Sequence, residues 1–220
     1  NTGDLLDKIV ALLPDKGTAP QETEALRVAI IGRPNVGKSS LVNAILGAER
    51  VVVSPVPGTT RDAVDTPFSF QGQALVLVDT AGLRRGARVR EAAEHYSALR
   101  TRRAIADADI AVLVLDGPEG VREQDQRIAG YAHEAGRGLI VVVNKWDLMK
   151  LSPPALKEYT EVLRARLSFC LYAPLLFLSA LTGRHVNRLL ETILEVKTAQ
   201  NHVLPSADLA ALLADLLAFS

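Results

Sequence analysis

The chain has 220 residues, with 25 basic and 25 acidic side chains and 48% apolar residues. That length suits one globular domain plus extra segments, and the apolar share is ample for a core. Balanced charge removes any global argument for nucleic-acid binding and leaves only local patches. The single cysteine, Cys170, excludes an internal disulfide and fits a reducing cytosol, so a cytoplasmic location is expected. It sits in the apolar stretch Leu167–Leu171 and reads as core rather than nucleophile. No run approaches ~18 apolar residues, and the N-terminus lacks a basic region followed by an apolar one. Neither a transmembrane helix nor a signal peptide is expected.

Residues Asp4 to Leu13 show helical apolar spacing, and the polar run Pro14 to Glu24 reads as a linker. From Arg27 to about Thr198, strand-like and helix-like segments alternate. The first strand candidate, 27–31, ends in the apolar run Val28-Ala29-Ile30-Ile31. Gly32-Arg33-Pro34-Asn35-Val36-Gly37-Lys38-Ser39 follows and fits the phosphate-binding pattern GxxxxGK[ST]. A helical pattern, Ser40-Leu41-Val42-Asn43-Ala44-Ile45-Leu46, comes next. This strand–loop–helix order is the context that the motif needs. Glycines let the backbone turn its N–H groups on phosphate oxygens, and the helix start adds unpaired donors. Lys38 can reach the β- and γ-phosphates, and the Ser39 hydroxyl can ligand Mg²⁺. Gly32 to Ser40 are therefore the candidate phosphate-binding residues.

The stretch from Ala48 to Asp62 holds two prolines and a glycine and reads as a loop. A threonine hydroxyl here can complete Mg²⁺ coordination when a γ-phosphate is present. Thr60 is the candidate and Thr59 the alternative. Strand candidates 63–70 and 73–78 are joined by Gln71-Gly72, too short for a crossover, so an antiparallel hairpin is expected. The second strand runs into Asp79-Thr80-Ala81-Gly82. Asp79 suits a Mg²⁺ carboxylate acting through water, and the Gly82 N–H is placed to sense a γ-phosphate. The next residue is Leu83, where Ras-like enzymes carry a water-orienting glutamine. Either hydrolysis is very weak or another element supplies the missing stabilisation. The cluster Arg84, Arg85, Arg88 and Arg90 contacts RNA or a partner domain, or is a solvated loop.

Helix candidates 90–106, 121–135, 153–168 and 184–198 alternate with strand candidates 110–115, 138–143 and 174–178. After Leu139–Val143 comes Asn144-Lys145-Trp146-Asp147. In this NKxD spacing a carboxylate accepts from the guanine N1–H and N2–H₂ donors. Adenine lacks that pair, so an unpaired buried carboxylate penalises it. Asn144 can bond the base or brace the phosphate loop, and the Lys145 stem can cover the ring face. Ser179-Ala180-Leu181, after the last strand, would contact the base from its other side. Together these elements predict a doubly wound α/β fold with a mostly parallel sheet of about six strands, one hairpin, and helices on both faces. The last segment carries Leu209, Leu212, Leu213, Leu216 and Leu217 at helical spacing, with Ser206 as N-cap. Both ends are either pieces of neighbouring domains or helices packed on the central one.

The motifs GRPNVGKSS, PGTTRD, DTAGLRR, EQDQRIAGYAHEAGRG and NKWD together resemble the Der (EngA) family of bacterial ribosome-assembly GTPases. The likeness covers about Arg27 to Lys197 and is nearest to that family's second G domain. It implies the end of a preceding G domain plus linker (1–26), a G domain (27–200) and the start of a KH-like domain (201–220). It also implies GTP hydrolysis, GTP-dependent docking to rRNA of the large ribosomal subunit, and K⁺ beside the phosphates. Asn35 would ligand that K⁺, with carbonyl oxygens from the 54–59 loop. A fixed monovalent charge there can stabilise negative charge developing on the β–γ bridge. Related tRNA-modification GTPases share part of the motif set and are the alternative resemblance.

Overall fold

The computed structural model describes residues 25–53, 65–80 and 93–202. The end segments, the Thr59/Thr60 loop, and the Ala81–Arg90 segment with its arginine cluster lie outside the described residues.

Seven strands form one sheet: β1 Leu26–Ile31, β2 Val51–Val53, β3 Thr66–Phe70, β4 Gln73–Val78, β5 Ile110–Asp116, β6 Gly138–Asn144 and β7 Leu175–Phe177. Their order across the sheet is β2-β3-β4-β1-β5-β6-β7. Strands β4, β1, β5, β6 and β7 run parallel, while β3 pairs antiparallel with β4 and with β2. The expected hairpin turns at Gln71-Gly72, both at positive φ (51° and 81°). The sheet carries one strand more than the sequence indicated. Val51–Val53 reads as loop because it is three residues long and lies at the edge, with Val52 and Val53 exposed.

Parallel neighbours force crossovers, and helices supply them. These are α1 Lys38–Leu46, α2 Ala93–Ala106, α3 Glu123–Glu134, α4 Pro153–Arg166 and α5 Val186–Gln200. Short 3₁₀ turns lie at Trp146–Leu148 and Ser168–Cys170. The central strands are apolar without a break because both faces are covered. On β5, Ile110, Val112 and Val114 face one core with Leu41, Ile45, Leu189 and Ile193. The alternate residues Ala111, Leu113 and Leu115 face the other, with Ile105, Ile128 and Leu163. Cys170 belongs to this second core, and burial pushes its thiol pKa up, which fits a packing role.

The chain leaves β1 toward β4 on one side and later adds β5 on the other. A crevice therefore opens at the carboxyl ends of these strands, where ligands bind in doubly wound sheets. The loops after β1, β4, β6 and β7 all start there.

Leu113 is fully buried at the centre of β5. Leu113→Ala is expected to lower the unfolding free energy by about 2–5 kcal/mol in urea denaturation. An unchanged midpoint would contradict this packing.

Candidate guanine-nucleotide site

The loop from Gly32 to Gly37 joins β1 to α1. Gly32 has φ 141°, Asn35 φ 66° and Gly37 φ 96°. A side chain at Gly32 would bring Cβ within 2.5 Å of the Val114 carbonyl oxygen. At Gly37 it would overlap the Asn144 amide nitrogen. Both glycines are thus required by close approach as well as by φ. Lys38 opens α1 and folds back into the loop. Its Nζ donates to the carbonyls of Gly32 and Arg33, each at 2.7 Å. Burial lowers the ammonium pKa to about 8, with Asp125 opposing the shift and Arg33 adding to it. An ammonium has three donors, so one remains after these two carbonyls. Pro34, Asn35, Ser39 and Ser40 lie at the exposed rim, while Val36 is buried.

Arg33 turns away from the loop interior. Its Nε donates to Asp125 Oδ2 at 3.0 Å and its Nη1 to Glu119 Oε2 at 2.7 Å. Sequence reasoning found neither partner. The contact joins residues 92 positions apart, and no local pattern announces it.

The second half of the site comes from β6 and β7. Asn144 ends β6 and is 3% exposed. Its Nδ2 donates to the Val36 carbonyl at 2.8 Å, and its Oδ1 accepts from the Ala180 N–H at 2.9 Å. Of the two uses open to Asn144, the structure displays the brace. Lys145 follows at φ 60° and pairs with Asp116, the buried last residue of β5. Asp116 was missed from sequence. Its signal is an acidic residue closing an otherwise apolar strand, Ile110–Leu115. The register of β5 and β6 sets Asp116 opposite Asn144, so the ion pair follows from strand alignment.

Asp147 is exposed in the 3₁₀ turn after Lys145. Trp146 anchors that turn. Its ring lies 4.4 Å from Phe177 and 5.9 Å from Tyr159, centroid to centroid, and its backbone N–H donates to the Leu178 carbonyl. Burial raises the Tyr159 hydroxyl pKa to about 12, helped by Asp116, and this hydroxyl donates to the Gly117 carbonyl at 2.7 Å. On the β7 side, Ser179 is buried and its Oγ accepts from the Thr182 N–H at 3.2 Å. Ala180 is buried beside it, whereas Leu181 is 84% exposed.

Asp79 follows β4 at φ 54°. Its N–H donates to Asp65 Oδ1 at 3.1 Å, and its Oδ2 accepts from Arg100 Nε at 2.8 Å. Thr80 is buried and exchanges a hydroxyl hydrogen bond with Thr66 at 2.8 Å. Thr59, Thr60, Ala81, Gly82 and Leu83 lie outside the described residues.

A glycine-turned loop with an inserted lysine, set against an NKxD turn on one parallel sheet, defines the class: a P-loop domain of the GTPase kind. Residues 27–145 match the family model described as 50S ribosome-binding GTPase, and the chain belongs to that family. It is 54% identical to GTPase Der of Pelotomaculum thermopropionicum over 88% of this chain and 44% of that protein. The chain spans about half the length of the curated relatives it matches. Among solved structures it is similar to Era of Aquifex aeolicus bound to GDP·AlF4⁻, at 27% identity and TM-score 0.58. That likeness covers 77% of this chain and 56% of Era. Era in complex with MgGDPNP and a stretch of 16S ribosomal RNA is 28% identical, with TM-score 0.55, over 78% of this chain and 56% of Era.

Asn144→Ala leaves the Val36 carbonyl and the Ala180 N–H without their partner. Each unsatisfied buried group costs about 1–3 kcal/mol. The variant is expected to unfold at clearly lower urea concentration than wild type, and an equal midpoint would refute the brace.

Proposed function

We propose that this chain is the GTP-binding and GTP-hydrolysing switch of a longer protein that acts in assembly of the large ribosomal subunit. The observation that carries this is the Asn144 bridge, which joins the phosphate loop to the NKxD turn and the 179–181 loop. One buried amide thereby sets the spacing between phosphate and base recognition. The ribosomal part is supported by likeness to GTPase Der and to Era, whose complex holds ribosomal RNA.

In this proposal the N–H groups of Val36 to Ser40 and the Lys38 ammonium hold the phosphates. Asp147 accepts from the guanine edge, Lys145 covers the ring, and Ser179, Ala180 and Leu181 close the other side. Ser39, Thr60 and Asp79, the last through water, are the residues that fit Mg²⁺. The exposed position of Ser39 at the start of α1 and the carboxylate of Asp79 at the end of β4 support that set. Mg²⁺ supplies charge neutralisation across the β- and γ-phosphates. Thr59, Thr60, Thr80, Ala81 and Gly82 complete the proposed set of γ-phosphate contacts. Lys38 steadies charge that develops as in-line attack by water breaks the γ-phosphoryl bond. Leu83 offers that water no hydrogen bond. Asn35, at the rim of the loop in left-handed conformation, is the proposed K⁺ ligand that offsets this loss.

The proposed organisation is the end of a preceding G domain and linker in 1–26, the G domain in 27–200, and the opening of a KH-like domain in 201–220. Contacts with those domains and with rRNA belong to the proposal, as does a cytoplasmic location. Among the described residues, no helix is long and apolar enough to cross a membrane.

Single-turnover GTP hydrolysis with Mg²⁺, in KCl against NaCl at equal ionic strength, tests the catalytic part. Faster turnover in KCl is expected, and Asn35→Ala should remove the difference. Equal and negligible rates with GTP bound would instead support a nucleotide-gated binding module. A second expectation concerns pH. Phosphate binding needs the charged form of Lys38, whose pKa is lowered to about 8 by burial. Binding above that pH must take up a proton, so GDP affinity should fall as pH rises from about 7 to 9. Titration calorimetry checks this. Lys38→Met should bind weakly with a flat profile, and a flat wild-type profile would contradict the assignment.

A further inference from the structure

Arg33 belongs to the phosphate loop, yet its guanidinium is committed elsewhere. Its Nε and Nη1 reach two different carboxylates, Asp125 and Glu119. The Asp125 side chain is fully buried and that of Arg33 only 14% exposed. Asp125 is itself fixed from behind. Its Oδ2 also accepts from the Arg122 N–H at 2.9 Å, at the start of α3. The carboxylate therefore takes its position from α3, and Arg33 takes its position from the carboxylate.

As a stabilising contact the pair is poor. Arg33 Nη2 and Asp125 Oδ1 are buried without a hydrogen-bond partner. Buried ion pairs with unmet polar atoms do not usually repay their desolvation. Their geometry, however, is restrictive. A planar fork held on two carboxylates cannot rotate, so the Arg33 backbone is held with it. That backbone carbonyl, with its Gly32 neighbour, is what Lys38 Nζ bonds.

We propose that Arg33 is a positioning residue: clamped by Asp125, it fixes the loop carbonyls that hold Lys38 at the phosphates. The EQD segment of the sequence, Glu123-Gln124-Asp125, thereby gains a part in nucleotide binding from outside the site. A role for Arg33 as a direct phosphate ligand would require it to leave both carboxylates. The inference rests on the proposed binding of GTP at this loop.

The test is the double variant Arg33→Met with Asp125→Asn, which removes both charges and keeps an acceptor for the Arg122 N–H. Thermal unfolding establishes that it folds. The dissociation constant for GTP is then expected to rise about tenfold, since small misplacement of a charged group is costly. Preference for GTP over xanthosine triphosphate should stay as in wild type, because Asp147 is untouched. Arg33→Lys keeps the charge without the two-armed grip and should fall between wild type and the double variant. A folded double variant with wild-type GTP affinity overturns the proposal, as does joint loss of affinity and base preference. Should the double variant not fold, Arg33→Lys decides by the same two readouts. Wild-type protein that binds no GTP would instead overturn the function proposed above.

Discussion

The spacing between two loops that are far apart in sequence is set by one buried amide. Asn144 donates to the loop after β1 and accepts from the loop after β7. Neither bond would form without the parallel sheet, which brings the carboxyl ends of β1, β6 and β7 to one rim. Gly37 depends on the same residue, because any side chain there would strike the Asn144 amide. A polar group buried this deeply must meet its bonding capacity inside the protein. That requirement converts a packing problem into a fixed distance.

A second rigid path runs beside it. The Glu119 N–H donates to Asp116 Oδ1 at 3.3 Å, and its carboxylate accepts from Arg33. The segment from Asp116 to Asp125 thus touches Lys145 at one end and the phosphate loop at the other. Charge is distributed unevenly around this frame. Lys38 lies among carbonyl dipoles and is held by burial at a pKa of about 8. Asp79 accepts from Arg100 of α2. Any cation that draws on Asp79 must therefore compete with a guanidinium, and α2 follows directly on the segment after Gly82. In the proposed function, that one carboxylate would link Mg²⁺ binding to the placement of α2.

Much of the fold was legible because it rests on local pattern. The apolar runs at Val28–Ile31 and Leu139–Val143 could be strands only in a sheet covered on both faces, and the short Gln71-Gly72 turn dictated a hairpin. Val51–Val53 was not legible. Its three residues pair at an open edge, where exposure erases the burial signal. In the candidate site, the loop residues from Gly32 to Ser40 announced themselves by spacing. Asp116, Glu119 and Asp125 did not. Their roles come from contacts 29 to 92 positions away, set by strand register and helix docking rather than by neighbours in the chain. The same holds for Asp79, whose pairing with Arg100 depends on how α2 lies against the sheet.

Trp146 gives the molecule an optical consequence. It is the only tryptophan in the chain. Its indole is wedged against Phe177 and Tyr159, one residue from Asp147. Indole emission follows the polarity and motion of its immediate surroundings, so the tryptophan emission of this protein reports on one place alone. Light absorbed by nearby tyrosine, Tyr159 foremost, can also pass to it over this short separation. The turn that carries Asp147 thus contains its own built-in chromophore, and no external label is needed to follow it.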